Sequence, residues 1–203
     1  MTRIESVEEL RRRYRAPVER VVRKELDRID RHCRAYIESS PFLVLATVGA
    51  DGRLDASPRG DRPGFVQVAD ERTLIIPDWP GNNRLDSLSN LVEHPRAGLI
   101  FMIPGVDETL RVNGIVTIED DDALRDGFVT RGRRPAVVLI VTVEQVFLHC
   151  AKAFMRSGLW NPQTWPSDRP VPAMGEMIHE QIDEVVEAET QEAMIARYLD
   201  GLY

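Results

Sequence analysis

The sequence predicts a mainly β domain with flanking helices: six or seven mostly antiparallel strands and a single inserted helix, forming a small closed or split β-barrel. Three observations lead there. Runs rich in β-branched and aromatic residues recur between positions 42 and 149, separated by turns containing Gly, Pro or Asp. One segment among them, 83–94, changes to helical spacing. Both ends of the chain carry apolar residues three and four positions apart.

Residues 1–40 read as helix. After Pro17, a residue suited to starting one, Val18, Val21, Val22, Leu26, Ile29, Cys33, Tyr36 and Ile37 mark an apolar face, and Ser39-Ser40-Pro41 stops it. The run 42–48 ends at Gly49-Ala50-Asp51-Gly52, whose Asp-Gly is a hairpin signal, so 53–59 should pair back on it. A second hairpin joins 65–69 to 73–77 around Asp70-Glu71-Arg72. The inserted helix, 83–94, has Leu85, Leu88, Leu91 and Val92 as its apolar positions. Strands 97–103 and 109–119 meet at Pro104-Gly105, and 136–149 is a long final strand. The acidic tract Glu119-Asp120-Asp121-Asp122 reads as a solvated turn capping a helix. A short helix over 151–158, a Pro- and Trp-rich loop over 160–172 and a helical tail over 174–200 complete the chain. The tail's apolar positions include Met177, Ile178, Val185, Val186 and Met194. The expected division is therefore an N-terminal helical segment (1–40), a barrel domain (41–160) and a loop with an acidic helical tail (161–203).

Composition narrows the function classes. A chain of 203 residues suits one compact domain with terminal additions. Its 43% hydrophobic and 29% charged residues are an ordinary globular balance. The net charge of -7 excludes a uniformly basic nucleic-acid surface. Residues 168–203 hold nine acids against two bases, so the acidity belongs to the tail and leaves room for an anion pocket in a neutral barrel. No apolar stretch approaches the ~20 residues of a membrane span, and the mixed-charge start does not read as a secretory signal. A cytoplasmic protein is the expectation. The two cysteines, Cys33 and Cys150, form no CxxC. A Cys2His2 site from His32-Cys33 and His149-Cys150 is disfavoured, because adjacent strand residues face opposite ways; no metal is expected. GxSxG, GxxxxGK[ST], HExxH and GxGxxG are all absent.

Three segments hold polar residues beyond the needs of packing. In Ala56-Ser57-Pro58-Arg59-Gly60-Asp61-Arg62-Pro63-Gly64, a rigid loop at a strand end, Ser57 and Arg59 can offer a phosphate a hydroxyl and a guanidinium fork. The plain alternative is a surface turn with Arg59 or Arg62 paired to Asp61. The second segment, Pro77-Asp78-Trp79-Pro80-Gly81-Asn82-Asn83-Arg84-Leu85-Asp86-Ser87, brings Asn82 to a helix start, where unpaired N–H groups attract anions. Arg84 and Ser87 share one face of that helix. The plain alternative is N-capping by Asn82 or Asn83 with Arg84 solvated. The third runs from His149 to Trp160. Lys152 and Arg156 are four apart on a short helix, and Lys152 is one of only two lysines in an arginine-rich chain. They are either ligand-facing or simply solvated, and Trp160 is either a core plug or a wall against a flat ligand.

In the order FLVLATVGADGRLDASPRGD, PDWPGNNRLDSLSN, TLRVNG and HCAKAFMRSGLW, these segments resemble the pyridoxamine 5′-phosphate oxidase-like, FMN-binding split-barrel family over about residues 25–162. The resemblance implies a homodimer of six-stranded antiparallel split β-barrels with two FMN molecules at the subunit interface. Position by position it implies that Ser57 and Arg59 approach the flavin and its phosphate side, and that Asn82, Asn83, Arg84 and Ser87 grip the ribityl phosphate. Lys152, Arg156, Ser157 and Trp160 would reach the flavin of the partner subunit, and Asn113 is a further cofactor-binding candidate. A cation near N1 of the ring would stabilise reduced flavin, a role open to Lys152 or Arg156. The arginine-rich RL-x-P segment of true pyridoxamine 5′-phosphate oxidases is absent; the chain continues instead through NPQTWPSDRP. The expected activity is thus an FMN-dependent oxidoreductase acting on an unidentified small molecule, with NADH or NADPH as a candidate reductant. The alternatives are a non-catalytic flavin carrier or sensor, or a haem- or deazaflavin-binding barrel.

Overall fold

The computed structural model describes residues 3–183 and 187–202. Seven strands form one antiparallel sheet in the order β2-β1-β5-β6-β7-β4-β3. They are β1 (Phe42–Val48), β2 (Leu54–Gly60), β3 (Gln67–Val68), β4 (Thr73–Asp78), β5 (Arg96–Ile103), β6 (Val106–Glu119) and β7 (Val137–His149). The sheet curls but does not close, since β2 and β3 are both edges. That is the split barrel predicted from the sequence, with a two-residue β3 as a seventh strand.

Period-2 patterning sets the core. Along β1, Leu43, Leu45 and Thr47 are buried while their neighbours face outward. Leu43 and Leu45 share one core with Leu99 and Phe101 of β5, Leu110, Val112 and Val116 of β6, Leu139 and Val141 of β7, and Leu74 and Ile76 of β4. Each buried side chain of this size contributes about 1.5–3 kcal/mol. The long β6–β7 pair shifts register between Asn113 and Gly114. Gly114 is needed there, because a Cβ would fall 2.2 Å from the Thr142 carbonyl oxygen.

The N-terminal region departs from the single helix expected. It forms α1 (Val7–Arg11), α2 (Glu19–Arg23) and α3 (Arg31–Ser39). Between α2 and α3 the backbone of Leu26 pairs with Val146 of β7 through bonds of 2.9 and 2.8 Å. The end of β7 that extends beyond its pairing with β4 thus outcompetes helix continuation. Asp30 then starts α3 afresh, its carboxylate accepting the N–H groups of His32 and Cys33 at 2.9 and 2.8 Å. Those bonds, the one from Cys33 first, hold the Asp30 carboxyl below its ordinary range. Cys33 and Ile37 of α3 enter the core, whereas Val18, Val21 and Val22 remain exposed. Burial pushes the Cys33 thiol up to about 11.

The inserted helix α4 (Asp86–Glu93) lies against β1, with Leu91 buried and Asn90 donating to Thr47 at 3.0 Å. It begins three residues later than expected, because Asn83 and Leu85 take left-handed φ values of 58° and 60°. Asp121 caps α5 (Asp122–Asp126) through the Leu124 N–H at 2.9 Å, as the acidic tract predicts. After β7 come α6 (Lys152–Ser157), a 3₁₀ turn (Pro162–Thr164), α7 (Met174–Gln181) and α8 (Gln191–Gly201). The tail is therefore two helices. The expected apolar positions Val185 and Val186 lie outside the described residues.

Candidate functional site

Ser57 and Arg59 stand on β2 itself, paired against Leu45 and Leu43 of β1, and not on a loop after the strand. Pro58 between them is tolerated because β2 is an edge. Period-2 alternation turns Asp55, Ser57 and Arg59 to one face. Opposite them the end of β4 supplies Asp78, and the start of α4 supplies Ser87, both buried.

A directed hydrogen-bond chain joins these elements. Ser87 donates its single hydroxyl proton to Asp55, so the 2.8 Å contact between the Ser57 and Ser87 oxygens carries the Ser57 proton. Arg59 donates from Nε to the Ser57 oxygen at 3.4 Å and from Nη1 to Asp78. The side chain of Asp78 is only 8% exposed, so its charge relies on the guanidinium. Arg59 is paired with Asp78, a partner not considered from sequence.

The connecting loop behaves differently from the expected helix cap. Asn82 accepts the Arg84 N–H at 3.1 Å, an Asx turn that precedes the helix. The residue at the head of α4 is Leu85, which offers no side-chain cap. Arg84 is 73% exposed and donates from Nε to Asp86 at 2.7 Å. That hydrogen bond and the carboxylate charge raise the already high pKa of the guanidinium.

Together β2, the end of β4, the 79–85 loop and the start of α4 wall a cavity of about 870 Å³. Ser57, Arg59, Asn82, Asn83, Arg84 and Ser87 all line it. Arg197, Tyr198, Gly201 and Leu202 of the tail also reach its wall. Sequence reasoning missed these, as it missed Asp55 and Asp78. The available signals were the position of Asp78 at the head of PDWPGNNR and an arginine near the end of the acidic tail.

The other candidates are not brought here. Asn113 lies at a second cavity of about 370 Å³ with Thr47, His94 and Glu144, and donates to Gln145. Lys152, Arg156 and Ser157 are exposed on α6 and line neither cavity. Ser157 donates to the Phe154 carbonyl at 3.0 Å. Trp160 stacks on Phe154 with centroids 5.7 Å apart and donates to the Val106 carbonyl at 3.1 Å, so it pins α6 to β6. Among the described residues no group of three or more His, Cys, Asp or Glu is gathered as a metal site. Likewise, no helix among them is long and apolar enough to cross a membrane.

Solved structures superpose on part of this chain. A single-residue variant of HupZ from Group A Streptococcus superposes with a TM-score of 0.50 at 19% identity, covering 60% of this chain and 99% of that one. General Stress Protein 26 from Bacillus anthracis gives 0.44 at 15% identity over 56% and 88% of the two chains. An FMN-binding protein from Syntrophomonas wolfei gives 0.44 at 13% over 58% and 83%. No curated protein matches the chain. Residues 29–150, which hold α3, the whole sheet and the cavity's β2–α4 wall, match the family model described as Pyridoxamine 5′-phosphate oxidase, and the chain belongs to that family.

Proposed function

We propose that this protein binds FMN in the 870 Å³ cavity and acts as an FMN-dependent oxidoreductase on a small molecule. The observation that carries this reading is the convergence of Ser57 and Arg59 with Asn82, Asn83, Arg84 and Ser87 on one cavity. Their chemistry suits a phosphate ester: two guanidiniums, two hydroxyls and two amides in a cleft within the ~300–1,000 Å³ of small-molecule sites. Trp79, Phe65 and Leu88 add apolar wall for a flat ring.

FMN, when bound, supplies the hydride and electron chemistry. The chain's own task is to hold and orient it. Asp78 braces Arg59 at the strand edge, and the Ser57–Ser87–Asp55 chain fixes the hydroxyls between sheet and helix. Arg84 is exposed and can turn from Asp86 to a phosphate with little rearrangement.

The α6 cluster fits this reading as the part of the site given to a second copy in a homodimer. Lys152 and Arg156 are exposed and lie away from their own cavity, beside the exposed apolar side chains Leu148, Met155 and Leu159. From a partner they would bring positive charge toward the flavin ring. We place this dimer in the cytoplasm.

The test is a fluorescence titration of the purified chain with FMN, followed by anaerobic addition of NADH or NADPH. Bound flavin that bleaches and recovers in air supports an oxidoreductase. Bound but unreactive flavin supports a carrier or sensor, and a chain that takes up no FMN overturns both.

A further inference from the structure

Without the tail, the cavity wall carries Asp55, Asp61, Asp78 and Asp86 against only Arg59 and Arg84. Each of those arginines is already bridged to one of the carboxylates. A dianionic ligand therefore meets a wall with more acid than base. From outside the barrel the tail adds a third arginine to this wall, Arg197, near the end of α8, which like the other two is bridged to a carboxylate.

The tail is built to hold that arginine in place. Glu189 grips it through two hydrogen bonds, Nε at 3.0 Å and Nη2 at 2.7 Å. A guanidinium has five N–H donors in a fixed fork, so the two on Nη1 lie outside this bridge. The Tyr198 ring sits under the guanidinium at 4.9 Å, and its hydroxyl donates to the Met174 sulfur of α7 at 3.6 Å. Glu189 is itself positioned by α7: its backbone lies so close to Gly175 that a Cβ there would fall 1.9 Å from its carbonyl oxygen. Met194 is buried, and Arg133 donates to the Gly201 carbonyl at 3.4 Å, docking the end of α8 on the barrel.

We propose that α8 is a cover for the cavity and that Arg197 is its phosphate-binding residue, with Glu189 and Gly175 acting only to position it. This rests on the flavin reading above and adds a third guanidinium to the site, from outside the segment that matches the family. The acidic tail then has a role: its carboxylates hold one cation ready and keep the remainder of the segment from entering an anion site.

The experiment compares FMN with riboflavin, which lacks the phosphate, by fluorescence titration of the full chain and its Arg197→Ala and Arg197→Lys variants. Arg197→Ala should weaken FMN about tenfold or more and leave riboflavin within about twofold, and Arg197→Lys should recover part of the loss. Trypsin cleavage after Arg197 of the unaltered chain should slow when FMN is added. Unchanged FMN affinity in Arg197→Ala, or an equal loss for riboflavin, overturns the assignment. If the unaltered chain takes up neither flavin, the flavin reading fails. Inorganic pyrophosphate then tests Arg197 alone: protection of the Arg197 cleavage site supports the anion role, and its absence overturns it.

Discussion

Two polar clusters of this chain contain the same kinds of residue, yet they are built in opposite ways. At the cavity, Ser87 is tied to Ser57 and Asp55 by hydrogen bonds that span 30 and 32 positions of sequence and join α4 to β2, and Arg59 donates to Ser57 within β2. On α6, Ser157 donates within its own helix and Lys152 and Arg156 are exposed. The first cluster is part of the fold, so changing it costs stability as well as binding. The second is an exposed helix surface, and under the proposed homodimer it is the surface offered to the partner.

The sharpest way to break this contrast is at Arg59. Arg59→Ala leaves the Asp78 carboxylate buried without its guanidinium, and removing one member of such a pair costs about 3–5 kcal/mol. Denaturant unfolding should show that loss even without ligand, whereas Lys152→Ala should stay within about 0.5 kcal/mol of the parent. Equal effects would dissolve the distinction.

Arg84 separates binding from stability. Because it is largely exposed, Arg84→Ala should scarcely move the unfolding midpoint. FMN affinity should nonetheless fall by about 1.5–3 kcal/mol as a charge-assisted contact is lost. Unchanged affinity in a flavin titration would remove Arg84 from the site.

A mixing experiment sharpens the α6 side. Chains carrying Arg84→Ala and chains carrying Lys152→Ala should each bind FMN poorly, but refolded together they form mixed dimers in which one site has both residues intact. Recovery of part of the high-affinity binding is expected; no recovery would place both residues in the same chain's site or Lys152 in none.

The smallest effect concerns a region remote from both clusters. Asp30→Ala should cost about 1 kcal/mol by uncapping α3. The Asp30 carboxyl is depressed in the fold, so its contribution is present in full above its ordinary value of 3.8 and is lost as pH falls through the lower, folded value. The parent should therefore lose its advantage over Asp30→Ala in acid unfolding below about pH 4.

Much of this architecture was legible in the sequence because it rests on local signals. The β-rich run FLVLATV, the Asp51-Gly52 turn and the Pro104-Gly105 turn place strands and hairpins correctly. The failures came where long-range pairing decides. The periodicity from Val18 to Ile37 cannot reveal that Leu26 will pair with Val146 and split the helix. Nor do propensities reveal that Asn83 and Leu85 will turn left-handed and delay α4. At the site, motif order brought six residues to one cavity, but the partners that hold them did not announce themselves. Asp78 acquires its role from the β4–β7 register, which buries it opposite β2. Arg197 acquires its role from the docking of a tail that follows the barrel by some forty residues.

In the proposed function, FMN occupies the β2–α4 cavity of a chain that needs a second copy to complete the site. Sedimentation velocity followed at the flavin absorbance band tests it most directly. Flavin travelling with a species of twice the 23.1 kDa chain mass, and lost from that species in Arg84→Ala, is the predicted result. Flavin travelling with the monomer, or remaining at the dimer undiminished in Arg84→Ala, would contradict it.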